Sequence, residues 1–247
     1  MESVDDFRRM TKLRECVFGL VGDGFAIAAA DASTGYNFTG DNTTEDKITV
    51  LDSHKLVAAV GFPADRHKIM HSIEDNWDGI TWTTESTANF IRTELNNALN
   101  NGEEISLLAR SKCCILVFLY EGQRAIFLRC QSIAYVLHEV KRLSMLVAGY
   151  DEVEGPSLYH IDGNASMKKV EKGAFDGNGC YYNLRMVNNR YNRRMSLEDA
   201  ICLVNDCMAE LKSRRVMKSP YYGVKIVDKD GVRVHIPVEN CVIRSSS

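Results

Sequence analysis

Short apolar runs separated by turn residues mark two predicted hairpins in the first sixty residues. Residues 17–21 and 25–30 are apolar and flank a Gly-Asp-Gly turn, a strong signal for a tight hairpin. Residues 48–51 and 56–61 flank the polar stretch 52–55 in the same way. We therefore expect two antiparallel strand pairs here.

Apolar residues at helical spacing predict two helices after these hairpins and a third nearer the C-terminus. Pro63 fits the opening turn of the first helix, and Thr83 or Thr84 can cap the second. Ser196 and the acidic residues after it form a variant of the capping box. They open the clearest helix, whose apolar residues recur at spacings of three and four up to Leu211.

The second half of the chain contains two more predicted hairpins. Residues 143–150 and 157–161 flank one turn, and residues 222–227 and 232–236 flank an Asp-Lys-Asp-Gly turn. The glycine-rich stretch 173–179 precedes a segment whose pattern is compatible with a helix. Strands joined by hairpins, with helices grouped in blocks, predict an α+β fold with two antiparallel sheets and helices outside.

Composition and charge narrow the classes of protein to which the chain could belong. Of its 247 residues, 45% are hydrophobic and 26% are charged, which is typical of a soluble globular protein. Its net charge of −3 shows no overall excess of positive charge with which to bind nucleic acid or an anionic membrane, so neither partner is expected. The longest apolar stretch, 113–120, is far shorter than the ~20 residues of a membrane span. The charged N-terminus does not resemble a secretory signal.

Familiar cofactor and metal motifs do not account for the chain. Its glycines are wrongly spaced for dinucleotide or phosphate binding, and its eight cysteines include no Cys-x-x-Cys pair. We therefore predict no cofactor and no metal, and reduced cysteines.

Four residues are expected to converge at one end of a sheet. Cys16 heads the first strand, Asp31 ends the second, Lys47 follows the polar loop and Gly61 ends the fourth strand. A lysine paired with an aspartate beside a thiol is one way to activate a nucleophile. A purely structural ion pair is the alternative interpretation.

Several stretches of the sequence resemble a known protein family. Residues 17–31, VFGLVGDGFAIAAAD, resemble the opening hairpin of proteasome β subunits, and residues 46–48 and 59–61 continue the likeness. Residues 146–159, LVAGYDEVEGPSLY, and 224–231 resemble the beta type-2 lineage, the fourth position of the β ring. The resemblance covers about 15–100 and 139–234.

This resemblance implies a four-layer αββα sandwich of the N-terminal-nucleophile hydrolase type, with two stacked antiparallel sheets between helices. It divides the chain into a polar arm (1–14), one β-type domain (15–236) and a tail (237–247). The expected partners are other β subunits in the same and opposite ring and α-ring subunits of the 20S core particle. The expected location is the cytoplasm and nucleus.

The resemblance also implies that most of the catalytic machinery is missing, although Asp31 and Lys47 match the family's supporting pair. Catalytic family members use an N-terminal threonine, freed from a propeptide, whose hydroxyl attacks the peptide bond. Alignment without gaps on Asp31, Lys47 and Gly61 places that threonine at Glu15, which has no hydroxyl. The predicted vestigial pocket consists of Glu15, Asp31, Lys47, Gly61, Asn178, Arg215 and Lys218. Its last three members stand where the family has serine, aspartate and serine.

Three functions are compatible with this sequence. The leading hypothesis is a non-catalytic structural β subunit that supports ring assembly and the wall of the proteolytic chamber. The first alternative is a hydrolase that uses Cys16 after cleavage behind Glu15. The second is a free-standing interaction protein that no longer assembles.

The segment from about 101 to 138 is unusual for the family. Between Leu99 and Leu146 the resembling lineage has a short connection, whereas this chain has some three dozen extra residues. Residues 113–120, 125–128 and 133–137 are apolar and β-prone. We interpret the segment as a translated retained intron, with a genuine insertion that forms an extra hairpin or partner contact as the alternative.

Overall fold

The computed structural model describes residues 15–32, 45–61, 63–77, 82–116, 143–177, 180–214 and 221–235. The strands in these ranges are β1 (Cys16–Val21), β2 (Phe25–Asp31), β3 (Ile48–Asp52), β4 (Lys55–Val60), β5 (Ser144–Asp151), β6 (Gly155–Ile161), β7 (Met167–Lys169), β8 (Gly173–Gly177), β9 (Tyr222–Asp228) and β10 (Gly231–His235). The helices are α1 (Pro63–Asn76), α2 (Thr84–Leu116), α3 (Cys180–Arg190) and α4 (Leu197–Ser213).

The strands form two five-stranded antiparallel sheets. Sheet I has the order β10-β9-β2-β1-β8, and sheet II has the order β3-β4-β5-β6-β7. All four predicted hairpins are present, as β1–β2, β3–β4, β5–β6 and β9–β10. The predicted α+β class with two antiparallel sheets is therefore confirmed.

Three apolar layers stack the sheets and helices into an αββα sandwich. One layer lies between the sheets, one between sheet I and α3 and α4, and one between sheet II and α1 and α2. In β1, Val17 and Val21 point into the layer between the sheets, while Phe18 and Leu20 point toward the helices. Because both faces of β1 and β2 are buried, these strands appear in the sequence as uninterrupted apolar runs.

Both predicted helix caps are formed by side-chain oxygens. The Ser196 hydroxyl accepts a hydrogen bond from the Asp199 backbone N at 3.1 Å, and α4 follows as the sequence predicts. The Thr83 hydroxyl accepts from the Ser86 backbone N at 3.1 Å, so Thr83 rather than Thr84 caps α2. The Thr84 backbone N donates to the Asp151 carboxylate at 3.0 and 3.1 Å, which fixes the start of α2 against β5.

The extent of α2 differs from the sequence prediction. The helical spacing in the sequence was followed only to Leu99, and a β-prone run begins at residue 113, but α2 continues without a break to Leu116. Residues 103–112 are rich in Glu, Leu, Ala, Arg and Lys, all good helix formers, and an existing helix extends at little cost. The rest of the extra segment, together with the predicted arm and tail, lies outside the described residues.

No helix in the described ranges has both the length and the apolar character that crossing a membrane requires.

A polar bridge joins the two sheets on the side where β8 forms the edge of sheet I. His160 of β6 lies with its Nε2 2.8 Å from Oδ2 of Asp176 on β8, and the Gly177 backbone N donates to Oδ1 at 2.6 Å. Burial by itself would raise the pKa of Asp176. Hydrogen bonds from His160, Ser144 and the Gly177 N outweigh that effect and hold the pKa below its ordinary value.

We expect Asp176→Asn to lower the free energy of unfolding by about 1 kcal/mol at neutral pH. A depressed carboxyl pKa stabilises the fold above the ordinary value of 3.8, and this stabilisation fades as the pH falls further. Urea titrations at several pH values should therefore show the variant and parent converging below that value. Asp75→Asn, which removes the partner of His71 in an ion pair whose side chains are both more than 60% exposed, is the control and should change stability less.

Candidate functional site

The candidate site lies at the open ends of the first two hairpins. Glu15 directly precedes β1, and Asp31 ends β2 beside it, because Val17 pairs with Ala30 across the hairpin. Lys47 directly precedes β3, and Gly61 follows β4. The sequence analysis predicted that these strand ends meet at one end of the sandwich, and the structure brings them together.

Asp31 and Lys47 form the innermost pair of the site. The Lys47 Nζ lies 3.2 Å from both carboxylate oxygens of Asp31, and neither side chain is exposed to solvent. The Cys16 backbone N donates to Asp31 Oδ1 at 2.7 Å. Asp31 thus connects the head of its own hairpin to the start of β3. The structure therefore encloses this ion pair completely.

Glu15 points into the site rather than toward solvent. Its side chain is only 2% exposed, and its Oε1 lies 3.2 Å from the Lys47 Nζ. Its Oε2 accepts from the Gly61 backbone N at 3.1 Å and from Arg66 Nη1 at 3.0 Å. The Glu15 carboxylate is therefore held by two cations and one backbone amide.

Arg66 in the first turns of α1 completes the cluster. Its Nη1 also donates to the Gly61 backbone O at 3.0 Å, and its Nη2 donates to Glu45 Oε2 at 2.5 Å. Burial lowers the pKa of Arg66, but the bonds to Glu45 and Glu15 more than offset this and raise it. We name Glu15, Asp31, Glu45, Lys47 and Arg66 the ionic cluster; it holds three carboxylates and two cations.

Sequence reasoning missed Arg66, although a signal was available. Arg66 precedes Ile69 by three residues and Ile73 by seven, so helical spacing places it on the buried face of α1. A charged residue on such a face needs a partner of opposite charge.

Cys16 is placed as a core residue. It is 3% exposed and belongs to the apolar layer between sheet I and its helices. Burial and the nearby Asp31 carboxylate raise the pKa of the Cys16 thiol far above its ordinary value. Because the thiolate is the nucleophilic form, this environment disfavours reactivity at neutral pH.

Gly177 forms the wall of the site opposite Cys16. The two residues pair across β1 and β8, and Gly177 has a φ of +87°. A Cβ atom at this position would lie 2.1 Å from the backbone O of Glu15. The close approach of β8 to the head of β1 therefore requires glycine.

Three residues of the predicted vestigial pocket, Asn178, Arg215 and Lys218, lie outside the described residues.

The described residues contain no group of three or more His, Cys, Asp or Glu side chains arranged to hold a metal ion.

Comparison with known proteins assigns the fold to a family. A family model described as "Proteasome subunit" matches residues 79–227, more than half of the chain. The chain belongs to the proteasome subunit family. The predicted N-terminal-nucleophile hydrolase sandwich is thereby confirmed, since the family match and the two sheets with their helices agree.

The relatives also identify the lineage of this proteasome subunit. It is 40% identical over 225 residues to proteasome subunit beta type-2-A of Arabidopsis thaliana, covering 89% of this chain and 92% of the relative. It is 37% identical over 225 residues to proteasome subunit beta type-2 of Oryza sativa subsp. japonica, covering 89% and 88%. The beta type-2 subunit of Dictyostelium discoideum is 28% identical over 220 residues, covering 85% and 91%. The predicted likeness to the beta type-2 lineage is confirmed, and family membership implies assembly with other proteasome subunits.

Proposed function

We propose that this chain is a non-catalytic, structural β subunit of the 20S proteasome core particle. The observation that carries the proposal is the position of Glu15. It stands at the head of β1, where the resemblance places the nucleophile, and its buried carboxylate is tied to Lys47 and Arg66. A nucleophile of this family must offer a free hydroxyl and a nearby base, and a carboxylate fixed by two cations offers neither.

The geometry around Cys16 weighs against the alternative hydrolase. Catalysis by Cys16 would require cleavage behind Glu15 to free the Cys16 amine. That nitrogen is a peptide N–H that donates to Asp31, and the adjacent thiol is buried with a raised pKa. Cleavage would also detach Glu15 from the ionic cluster and leave Arg66 with one carboxylate fewer.

Exposed apolar side chains support a role in assembly rather than as a free-standing protein. Tyr182 and Leu184 near the start of α3 are 43% and 50% exposed, and the Arg214 guanidinium lies 4.7 Å from the Tyr182 ring centre. Aromatic residues and arginine are enriched in protein interfaces. We assign such surfaces to neighbouring α- and β-ring subunits, in a particle located in the cytoplasm and nucleus.

We expect Glu15→Thr to produce no peptidase activity at this subunit. The substitution supplies a hydroxyl, but residues 1–14 would still precede it. Asn178, Arg215 and Lys218 would still stand where the family has serine, aspartate and serine. The measurement is peptide hydrolysis by particles that carry the variant and whose other active sites are inactivated. Glu15→Ala is the control, because it removes the same charge without adding a hydroxyl. Turnover by the threonine variant above that of the alanine variant would contradict the proposal.

Intact mass of the subunit from assembled particles tests the hydrolase alternative separately. We expect Glu15 to remain in the chain, because its carboxylate is part of the ionic cluster. A mass that corresponds to loss of residues 1–15 would instead support a free Cys16 amine.

A further inference from the structure

One side chain, Arg66, connects three separate segments at the candidate site. It contacts Glu15 before β1 of sheet I, the Gly61 carbonyl after β4 of sheet II, and Glu45 before β3. Arg66 itself belongs to α1, yet its side chain is only 3% exposed. Its planar guanidinium carries N–H donors that point in several fixed directions, so it can bond to all three segments at once. A lysine ammonium is a compact charge and could not make these bonds with the same geometry.

The contacts that close this end of the sandwich are largely ionic. Asp31 and Lys47 form an inner bridge with no solvent exposure, and Arg66 with Glu15 and Glu45 forms an outer one. Glu45 is 16% exposed and also contacts the exposed His67, so the outer bridge borders solvent. Elsewhere, the apolar layers hold the sheets and helices together. The head of β1 can therefore open locally while the rest of the sandwich stays folded.

We propose that Arg66 acts as a latch that holds the head of β1 closed and thereby controls solvent access to Cys16. Removing the latch leaves Glu15 with Lys47 as its one remaining cation in the cluster, and Lys47 is already shared with Asp31. A buried carboxylate that loses a charged partner is strongly destabilised in the closed state. The head of β1 then opens more often, while the distant core stays packed.

Two buried cysteines allow local opening to be distinguished from global unfolding. Cys16 directly follows Glu15, whereas Cys207 lies on α4, buried between that helix and sheet I. Burial raises the pKa of the Cys207 thiol to about 12, so it also reacts slowly while the fold is closed. The tryptic peptide after Arg14 contains Cys16 and no other cysteine, and fragment ions separate Cys207 from Cys202.

The experiment is N-ethylmaleimide labelling of assembled particles that carry Arg66→Met, followed by peptide mass spectrometry. Loss of hydrogen bonds between charged groups should raise the labelling rate of Cys16 by about ten- to a hundredfold, with no change at Cys207. Arg233→Met is the matched control. It makes the same substitution at a more exposed arginine, which pairs with Asp228, and should change neither rate.

Two results would overturn the latch. An unchanged Cys16 rate would mean that Arg66 does not control access, and an equal rise at both cysteines would mean that it only stabilises the whole fold. If Arg66→Met does not assemble, Glu45→Gln decides the matter, because it weakens the outer contact and leaves Glu15 with both cations. A severalfold rise at Cys16 alone would then support the latch, and no rise would refute it.

Discussion

Lys47→Met should lower the free energy of unfolding by about 3–5 kcal/mol, because it leaves two buried carboxylates with too few counter-charges. Asp31 would lose the cation that lies 3.2 Å from both its oxygens, and Glu15 would keep Arg66 alone. The measurement is urea unfolding of the full-length chain, followed by circular dichroism. Assembly into particles should fall in parallel.

Lys229→Met is the matched control for this change. Its Nζ lies 3.6 Å from Asp230, and both side chains are more than 70% exposed, so solvent screens the pair. We expect an effect within about 0.5 kcal/mol. If Lys47→Met cost no more than Lys229→Met, the ionic cluster would not contribute to stability as its geometry suggests.

Gly177→Ala should also be severely destabilising, by about 2–4 kcal/mol, for two additive reasons. The positive φ of +87° disfavours any residue with a Cβ, and the new atom would meet the Glu15 carbonyl at 2.1 Å. The obstacle is backbone, which cannot rotate away as a side chain can. The same urea unfolding measurement applies.

Gly24→Ala isolates the conformational part of that cost. Gly24 has a φ of +83°, but a Cβ there would meet no heavy atom within 4 Å apart from those of Gly24 and its two neighbours in the chain. We expect a loss of about 1–2 kcal/mol from the backbone conformation alone. The difference between the losses in free energy of unfolding caused by Gly177→Ala and by Gly24→Ala then measures the clash at the head of β1. Equal losses would show that β8 can move away from Glu15 without penalty.

Local patterns were sufficient to predict most of the fold. Each hairpin joins two apolar runs through a turn with its own signal, and α4 carries both a capping residue and a complete apolar face. Strand β7 was missed because Met167–Lys169 is too short for any periodicity to show. The length of α2 was mispredicted because β propensity depends on a neighbouring strand, whereas helix extension needs only its preceding turn.

The candidate site was predicted only where chain order suggests it. The loop after Asp31 leads from the open end of the first hairpin to Lys47 at the open end of the second, and stacking of the two sheets brings the two side chains into contact. Arg66 was missed because its partner Glu15 is 51 residues away, and a contact of that range leaves no local pattern. Its place on the buried face of α1 was the one signal that could have revealed it.

The ionic cluster has a consequence for how this subunit can change over generations. Its three carboxylates share two cations, so exchange of Lys47 or Arg66 for a neutral residue leaves three carboxylates with a single cation. Exchange of Glu15 instead leaves two pairs of opposite charge, Asp31 with Lys47 and Glu45 with Arg66. Neutral substitutions should therefore persist in a population more readily at position 15 than at position 47 or 66.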